Sequence, residues 1–298
     1  MKIIRLAACL CLLSLAGVTA ARAATIDVDG TERNYLIFRT ADLPLPAPTV
    51  IVLHGGGGGA ERMAAYNGFG DFAREHGILA IYPEAIDHFW NDGRKDERGA
   101  ASDDTGFLRA LIRTLVAEGL ADPSRIYLTG MSNGGMMTLH MACTAPGLFA
   151  AIAVVAASQP QDVPCPVKQP LPVLLVNGTD DGMVPYKGGP VGKGWTDRGR
   201  VIGHENTLRL WARANDCSQM AATAPLPDTA RDGMRSTETV FDCPADTAVI
   251  GITVEGGDHS WPGGSRGPIA RMLLGPVTRD FSANRIIWNF FKPRARAQ

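Results

Sequence analysis

The sequence predicts an α/β protein in which helices cover both faces of a mostly parallel, doubly wound sheet within a single domain. Unbroken apolar runs at residues 49–53 and 150–155 are typical of strands buried on both faces, as in parallel sheets. These runs alternate with helix-forming segments along the chain, which is the pattern of a doubly wound layered fold. A length of 298 residues accommodates one large domain of this kind.

Each element is predicted from its local pattern. Two strands are expected around a turn at Gly30, and a proline-rich connector at residues 42–48 leads into the first buried strand. The predicted strands cover residues 25–29, 33–38, 49–53, 77–82, 125–129, 150–155, 173–176 and 248–253, and the predicted helices cover residues 61–76, 103–118, 136–143, 205–214 and 280–291. In such a sheet, functional residues collect in the loops at the carboxyl ends of the strands.

The charge balance argues against polyanionic partners. The formal net charge is -1, and no cluster of lysine and arginine suggests an anionic surface as a target. We therefore expect no nucleic-acid or membrane partner, and we expect a monomer that acts on a small molecule.

Residues 1–23 have the pattern of a secretory signal peptide. Lys2 and Arg5 carry positive charge, an apolar run extends to about Val18, and small residues follow. The apolar run is too short to span a bilayer comfortably, and no later stretch is long enough. We predict export to the periplasm or the medium, no membrane anchor, and a mature domain over residues 24–298.

The cysteines are consistent with an exported protein. The chain has six, and the four that lie beyond the predicted signal peptide are an even number, which suggests disulfides. Of the three possible connectivities we favour Cys143 with Cys165 and Cys217 with Cys243, because each pair closes a local loop. Zinc ligation is the alternative, but no pair has the C-x-x-C spacing of structural zinc sites, so no metal is expected.

A Gly-x-Ser-x-Gly motif at residues 130–134 directly follows the predicted strand at 125–129. In this motif the serine occupies a tight turn from strand to helix that exposes its hydroxyl, and the glycines avoid clashes with neighbouring backbone. The alternative is a serine that only caps a helix. Because a strand precedes and a helix follows, we predict that Ser132 is a nucleophile.

A serine hydroxyl needs a base beside it and a carboxylate that orients the base. The expected base is His259, in a glycine-rich loop directly after the last predicted strand. For the carboxylate, Asp180 and Asp181 compete in the loop after the strand at 173–176, and alignment with the H-G-x-x-D-x-x-V-P loop of α/β-hydrolases selects Asp181. The order Ser, Asp, His matches that fold. The alternatives are an aspartate turn that caps a strand and a merely solvated histidine.

The glycine run at residues 55–59 follows the buried strand at 49–53, where backbone N–H groups can point at a developing negative charge. We predict that Gly56 supplies one donor of an oxyanion hole and that Asn133, the residue after the nucleophile, supplies the other. A flexible linker and a nucleotide-phosphate loop are the alternatives. The lysine and hydroxyl of a P-loop are missing, and a linker would not directly follow a buried strand.

Several short motifs, spread over most of the mature chain, are more specific together than any one alone. They are Leu-His-Gly at 53–55, Trp-Asn-Asp-Gly-Arg at 90–94, Asp-Asp-Thr-Gly-Phe at 103–107, the serine motif, Gly-Thr-Asp-Asp at 178–181 with Val-Pro-Tyr at 184–186, and His-Ser-Trp-Pro-Gly at 259–263. As a set they resemble secreted α/β-hydrolases of the polyhydroxybutyrate depolymerase and feruloyl esterase type.

This resemblance implies an α/β-hydrolase fold, local disulfides, and triad roles for Ser132, Asp181 and His259. The chain departs from the family at three positions. Gly56 stands where a cysteine is often found, Asn177 replaces a histidine, and Asp258 precedes the histidine where glycine is usual. A carboxylate at Asp258 is expected to favour the charged imidazolium and so to alter the pH dependence of the reaction.

The sequence thus predicts a serine ester hydrolase that works through an acyl-enzyme on hydroxyalkanoate oligomers or related small esters, with no cofactor. The alternatives are a feruloyl or acetyl esterase of plant cell-wall polysaccharide esters, an acyltransferase, and a non-catalytic binding protein on the same scaffold. We predict that Trp90, Trp195 and Trp261 line the substrate cleft, although tryptophans in loops often serve only in packing.

Overall fold

The structure, a computed structural model, describes residues 21–94, 102–167, 169–192, 198–245, 247–267 and 275–296. The strands are β1 (Arg22–Val28), β2 (Thr31–Phe38), β3 (Ala47–Leu53), β4 (Leu79–Pro83), β5 (Ala121–Met131), β6 (Ala151–Val155), β7 (Val173–Gly178), β8 (Gly189–Pro190), β9 (Arg200–Val201), β10 (Ala221–Pro225), β11 (Arg235–Phe241) and β12 (Val249–Glu255). The helices are α1 (Ala60–Asn67), α2 (Phe69–Glu75), α3 (Asp104–Ala117), α4 (Asn133–Thr144), α5 (His204–Ala214) and α6 (Ala283–Phe291).

Ten of the described strands form one sheet in the order β1-β2-β4-β3-β5-β6-β7-β12-β11-β10. The central strands, from β4 through β3, β5, β6 and β7 to β12, pair in parallel. Antiparallel strands extend both edges. The predicted fold class is therefore confirmed, and the carboxyl ends of β3, β5, β7 and β12 open toward one edge of the sheet.

Helices bury one hydrophobic layer on each face of the sheet. On one face α3, α4 and α5 contribute residues such as Leu111, Met136 and Trp211. On the other, α1, α2 and α6 contribute residues such as Phe69 and Phe291. The central strands are almost fully buried between these layers, which explains why their sequences are continuously apolar instead of alternating.

Some predicted boundaries are wrong. The helix predicted over residues 61–76 is two helices, because Gly68 has φ +62° and ends α1 in a left-handed conformation. The antiparallel strands β10 and β11 were not predicted, since an exposed edge strand such as β10 lacks an apolar run. The last helix begins at Ala283 and not at residue 280.

The predicted signal peptide lies largely outside the described residues. Arg22 and Ala23 pair with Ile37 and Leu36 in the first ladder of the sheet, so a cut after Ala23 would fall inside β1. None of the described helices has the length and apolar character needed to cross a membrane.

Two disulfides join Cys143 to Cys165 and Cys217 to Cys243, the pairing favoured from the sequence. The paired residues are 22 and 26 positions apart. Closing loops of this length stabilises the folded state by roughly 3 kcal/mol each in the chain-entropy treatment. The first disulfide ties the end of α4 to the segment that follows β6.

Candidate active site

Ser132 lies on the sharp turn between β5 and α4. Its backbone has φ 58° and ψ -124°, a conformation that non-glycine residues rarely adopt. The turn is held by the Ser132 backbone N–H, which donates to the Val155 carbonyl at 3.0 Å. Strain of this kind persists only where the surroundings enforce it, and here the strained residue lies in the wall of a cavity.

The glycines of the motif are needed because backbone surrounds them. A Cβ on Gly134 would contact the His54 carbonyl oxygen closely and would lie 2.7 Å from the Leu53 oxygen. A Cβ on Gly130 would press on the Gly134 carbonyl. Since backbone atoms cannot swing away as side chains do, only glycine lets β5 and α4 approach the end of β3 this closely.

Asp181 and His259 form a hydrogen-bonded pair. The loop after β7 carries Asp181, and the loop after β12 carries His259, whose Nδ1 lies 2.8 Å from Asp181 Oδ2. The other carboxylate oxygen accepts from the backbone N–H groups of Met183 and Val184, both at 2.8 Å. Because a carboxylate oxygen accepts, Nδ1 of His259 donates in this hydrogen bond, and in the neutral ring this arrangement leaves the lone pair on Nε2.

The two neighbouring carboxylates, Asp180 and Asp258, have other hydrogen-bond partners. Asp258 Oδ1 accepts from the His259 backbone N–H at 2.6 Å, so this carboxylate fixes the loop. Asp180 is exposed and accepts from the Thr179 hydroxyl at 2.9 Å. The hydrogen bond to the imidazole therefore distinguishes Asp181 from both neighbours.

The loop after β3 places Gly56 beside Asn133. A Cβ on Gly56 would lie 3.4 Å from the Asn133 Cβ and 2.7 Å from the Phe89 ring, so a side chain at this position would require the ring to move. The N–H groups of Gly57 and Gly58 donate to the His88 and Gly55 oxygens, whereas that of Gly56 has no acceptor among the described residues.

Asn133 is the first residue of α4, so its backbone N–H has no acceptor within the helix. The Gly56 and Asn133 residues both line the same cavity as Ser132. Two available donors next to a nucleophile, one of them at the start of a helix, are suited to binding an oxyanion.

His54 supports this loop and takes no part in the cavity wall. Its Nε2 accepts from the Ala85 backbone N–H at 3.1 Å, so its Nδ1 donates to the Gly55 carbonyl at 2.9 Å. Burial lowers the pKa of His54, which is consistent with a neutral ring. The imidazole thus fixes the glycine loop on the β4 side.

A buried network connects Asn133 to the segment at residues 90–94. The Asn133 side chain donates to the Trp90 carbonyl at 3.0 Å and to Asp92 Oδ2 at 2.7 Å, and it accepts from the Trp90 backbone N–H. Asp92 also forms an ion pair with Arg94 at 2.7 Å, with both side chains almost fully buried. Arg94 Nη1 in turn donates to the Arg198 carbonyl at 2.5 Å.

Ser132, His259, Gly56 and Asn133 line one cavity of about 210 Å³. Five apolar residues and two arginines also line it. They are Phe89, Met136, Met183, Val184, Val191, Arg94 and Arg198. A larger cavity of about 550 Å³ near β1 and β2 includes none of the predicted triad residues.

The prediction that Trp90 and Trp261 line the cleft is wrong. Trp90 is 2% exposed and donates its indole N–H to the His54 carbonyl, and Trp261 is fully buried and donates to Asn284. Both indoles therefore pack beneath the loops. The aromatic ring in the cavity wall is Phe89, one residue before Trp90, and Trp195 lies outside the described residues.

The two arginines that line the cavity, Arg94 and Arg198, were not predicted from the sequence. Arg94 belongs to the Trp-Asn-Asp-Gly-Arg motif at residues 90–94. Nothing in that motif indicates that Arg94 lies beside Ser132. Arg198 has no regular secondary structure and lies two residues before the start of β9, so no periodicity predicted its placement.

The fold and the arrangement of this site define an α/β-hydrolase. The sequence profile described as esterase PHB depolymerase matches residues 35–159. A putative esterase, NocK, of Nocardia uniformis subsp. tsuyamanensis is 32% identical over 272 residues, which cover 86% of this chain and 78% of that protein. The chain belongs to the esterase family that includes polyhydroxybutyrate depolymerases, and it is an ester hydrolase.

Other relatives match over shorter spans. Feruloyl esterase B of Piromyces equi is 29% identical over 174 residues, which cover 56% of this chain but only 30% of that protein. The solved structure of an acetyl xylan esterase from Aspergillus awamori has a TM-score of 0.57 and 16% identity, and the match covers 80% of this chain and 94% of that one. At this identity the structural match supports the fold alone.

Proposed function

We propose that the protein is a serine esterase in which Ser132, His259 and Asp181 form the triad. The observation that carries this proposal is the 2.8 Å hydrogen bond between His259 and the buried Asp181, with His259 and Ser132 in the wall of one cavity. Order along the chain and the strained turn at Ser132 both support it.

In the first half-reaction, Ser132 Oγ attacks the ester carbonyl carbon while Nε2 of His259 accepts the hydroxyl proton. Asp181 holds the proton on Nδ1 and stabilises the imidazolium that forms. When the tetrahedral intermediate collapses, the imidazolium gives its proton to the leaving alcohol, and the acyl group remains on Ser132.

In the second half-reaction, water takes the place of the alcohol. His259 accepts a proton from the water as its oxygen attacks the acyl carbon, and the proton returns to Ser132 Oγ when the bond to the acyl group breaks. The sum is one ester and one water converted to one carboxylic acid and one alcohol.

The backbone N–H groups of Gly56 and Asn133 are the proposed donors to the oxyanion in both steps. Their positions are fixed before substrate arrives, by tight glycine packing on one side and by the Asn133 network on the other. Donors that need no reorganisation stabilise the developing charge most effectively.

As substrates we propose hydroxyalkanoate oligomers or related small esters. The family to which the chain belongs supports this, and a cavity of about 210 Å³ is smaller than the roughly 300–1,000 Å³ of sites for drug-sized ligands. It therefore suits one short acyl unit. Feruloyl or acetyl esters of plant polysaccharides are the alternative, supported by relatives named for those activities.

We also propose that the protein works outside the cytoplasm and as a monomer. Two disulfides support an oxidising compartment, in agreement with the predicted signal peptide at residues 1–23. The boundary between the signal peptide and the domain starting at residue 24 stays a prediction, which the N-terminal sequence of the exported protein would test.

The first test is hydrolysis of a short-chain nitrophenyl ester by the exported protein and by Ser132→Ala. We expect kcat to fall by about 10⁶-fold in the variant, as for a triad nucleophile. Equal activity in the two proteins would refute the triad, and an inactive wild type would favour a binding protein on this scaffold. With activity established, hydroxybutyrate dimers, methyl ferulate and acetylated xylan discriminate the substrate classes.

A further inference from the structure

The proposed oxyanion donor of Gly56 belongs to a peptide unit that is held at its other end. The Gly56 N–H shares one planar, trans peptide unit with the Gly55 carbonyl, so the two groups point in opposite directions. The Gly55 oxygen accepts from the Gly58 backbone N–H at 3.0 Å and from His54 Nδ1 at 2.9 Å. The contacts that fix these two bonds therefore also fix the direction of the Gly56 N–H.

The turn at residues 55–58 has no side chains with which to hold itself. All four residues are glycines, and the third, Gly57, has φ +73°. Two hydrogen bonds from outside hold the segment instead. The Gly57 N–H donates to the His88 carbonyl at 2.8 Å, and the Ala60 N–H, directly after the glycine run, donates to Glu84 Oε2 at 2.6 Å. Both acceptors lie on the loop that follows β4.

Glu84 is anchored to the sheet. It is the first residue after β4, and its backbone N–H donates to the Asn34 carbonyl of β2 at 2.9 Å. Its own carbonyl accepts from Arg33 Nη2 at 3.3 Å, and Arg33 forms a buried ion pair with Asp104 at 2.6 Å. Because both backbone groups are bonded, the carboxylate extends to Ala60 from a fixed point.

The Glu84 carboxylate contacts both segments. Its Oε2 binds Ala60, and its Oε1 lies 3.2 Å from His88 Nδ1 across the short turn at residues 86–88. This turn is strained, since His88 has φ +64° without being a glycine. The His88 contact is exposed and contributes little by itself, but it connects Glu84 to the residue whose carbonyl binds Gly57.

Gly59 leaves the space that this carboxylate occupies. A Cβ on Gly59 would lie 2.9 Å from Glu84 Oε1 and 3.4 Å from Oε2, and its three nearest atoms all belong to the carboxylate. Gly59 is also the N-cap of α1 and has no side chain with which to cap the helix, so Glu84 supplies an acceptor that the first turn needs. The start of the helix and the end of the glycine run therefore depend on one external carboxylate.

We propose that Glu84 is a positioning residue of the oxyanion hole. Its carboxylate holds the glycine run in the conformation that directs the Gly56 N–H toward the oxyanion, and Glu84 itself lies outside the wall of the catalytic cavity. This inference rests on the proposed function. Because the oxyanion exists only in the transition states and tetrahedral intermediates, the role of Glu84 affects kcat and hardly affects KM.

The first test compares Glu84→Ala with Glu84→Gln in the hydrolysis of a nitrophenyl ester. The alanine variant leaves the Ala60 N–H without its acceptor, and we expect kcat to fall by roughly 10- to 100-fold with KM nearly unchanged. Glutamine retains an oxygen that can accept from Ala60 and should recover most of the loss. Glu61→Ala is the matched control, because it removes the same charge from the same helix end at an exposed residue, and it should keep the wild-type kcat.

Inhibition by butylboronic acid distinguishes misplaced donors from a damaged fold. Ser132 Oγ bonds to the boron as its hydroxyl proton passes to His259, and the tetrahedral boronate places a boron-bound oxygen where the oxyanion forms. In Glu84→Ala the inhibition constant should rise by about the same factor as kcat falls. A protein that is only less stable would have fewer active sites but an unchanged inhibition constant.

Gly59→Ala tests the same contact from the other side. Gly59 has φ -178° and ψ 165°, which alanine adopts without strain, so the added methyl meets the Glu84 carboxylate first. We expect this substitution to lower kcat and to weaken boronate binding in the wild type, but to have no further effect in Glu84→Ala, where the carboxylate is gone. This comparison also tests the proposal if Glu84→Ala alone loses stability.

The outcomes separate this inference from the function on which it rests. An unchanged kcat in Glu84→Ala, or a lower kcat with an unchanged inhibition constant, would overturn the role of Glu84 while the esterase stands. Additive losses for Glu84→Ala and Gly59→Ala would do the same, as would a glutamine variant as impaired as the alanine variant. If the boronic acid binds Ser132→Ala as tightly as the wild type in calorimetry, the triad fails and this inference fails with it.

Discussion

The two pairs of loops that form the site are built differently. The loops after β3 and β5 supply three proposed functional groups: the backbone N–H groups of Gly56 and Asn133, and the hydroxyl of Ser132 on its strained turn. Close packing around glycines sets the positions of these groups. In the loops after β7 and β12, the functional atoms belong to the side chains of Asp181 and His259, and hydrogen bonds position them.

This difference determines which residues each pair requires. Where backbone groups supply the chemistry, the surrounding residues must be glycines, because a Cβ would displace the main chain. Where side chains supply the chemistry, the functional residue itself must be conserved in identity, because a substitute of similar shape fits the space but changes which atoms carry protons. Substitutions in the two pairs should therefore fail in different ways.

Among the substitutions that test this difference between the loops, the largest effect is expected from Asp181→Asn. The amide oxygen can still accept from Met183 and Val184, so the loop should keep its shape. The amide nitrogen must donate toward His259 Nδ1, which moves the imidazole proton to Nε2 and removes the acceptor for the Ser132 proton. We expect kcat to fall by about 10⁴-fold with little change in the melting temperature, measured with a nitrophenyl ester and by calorimetry.

Asp180→Asn is the control, since Asp180 is the adjacent, exposed aspartate of the same loop. Its activity should stay near that of the wild type. A loss as large as that in Asp181→Asn would show that the wrong carboxylate was assigned, and a nearly active Asp181→Asn would remove the aspartate from the mechanism.

A smaller loss of activity, joined to a loss of stability, is expected from Gly134→Ala. The added methyl would meet the carbonyl oxygens of His54 and Leu53, so α4 must move away from the end of β3. We expect the free energy of unfolding to fall by about 1–3 kcal/mol, as in overpacked cores. Misplacement of Ser132 and the oxyanion donors by about 1 Å should lower kcat/KM by roughly 10²-fold.

The control for that substitution is Gly267→Ala, because a Cβ there would meet no atom of the described residues within 4 Å. Denaturant unfolding and ester hydrolysis of the two variants give the comparison. If Gly134→Ala were as stable and active as the control, the loops after β3 and β5 would adapt to an added methyl group more easily than their contacts indicate.

The same contrast explains what could be predicted from the sequence. Glycines required by close backbone contacts form a local sequence motif, so the turn at Ser132 was predicted with its structural context. The loop at Gly56 was predicted from a glycine run that follows a buried strand. Asp181 and His259 were found because the fold fixes their order and their position after strands. The cavity wall was not predicted, for two reasons. A short helical turn at residues 86–88 determines whether the ring of Phe89 or that of Trp90 lines the cavity with Ser132. Arg198 is positioned by a hydrogen bond from Arg94, and no spacing in the sequence indicates that contact.

The smallest expected effect is on the pH dependence of stability, and it concerns two buried histidines, one on each side of the site. His54 has both ring nitrogens hydrogen bonded, whereas neither nitrogen of His204 has a partner in the described structure, and His204 stacks on Tyr186 of the Asp181 loop. Burial lowers the pKa of His204 from 6.5 to about 3. Between these values the unfolded chain binds a proton that the folded protein excludes, so stability is complete above pH 6.5 and falls by about 1.4 kcal/mol per unit as the pH falls.

His204→Leu should remove this acid dependence and should cost little stability at pH 7, because it deletes two polar atoms without hydrogen-bond partners. His54→Leu should lower stability by about 1–3 kcal/mol at pH 7, because it leaves the Ala85 N–H and the Gly55 carbonyl without their partner. Urea unfolding at pH 7 and pH 5 measures both variants, with the exposed His76→Gln as reference. An unchanged pH dependence in His204→Leu would mean that this ring accepts a proton in the folded protein, and therefore that water reaches the core beneath the Asp181 loop.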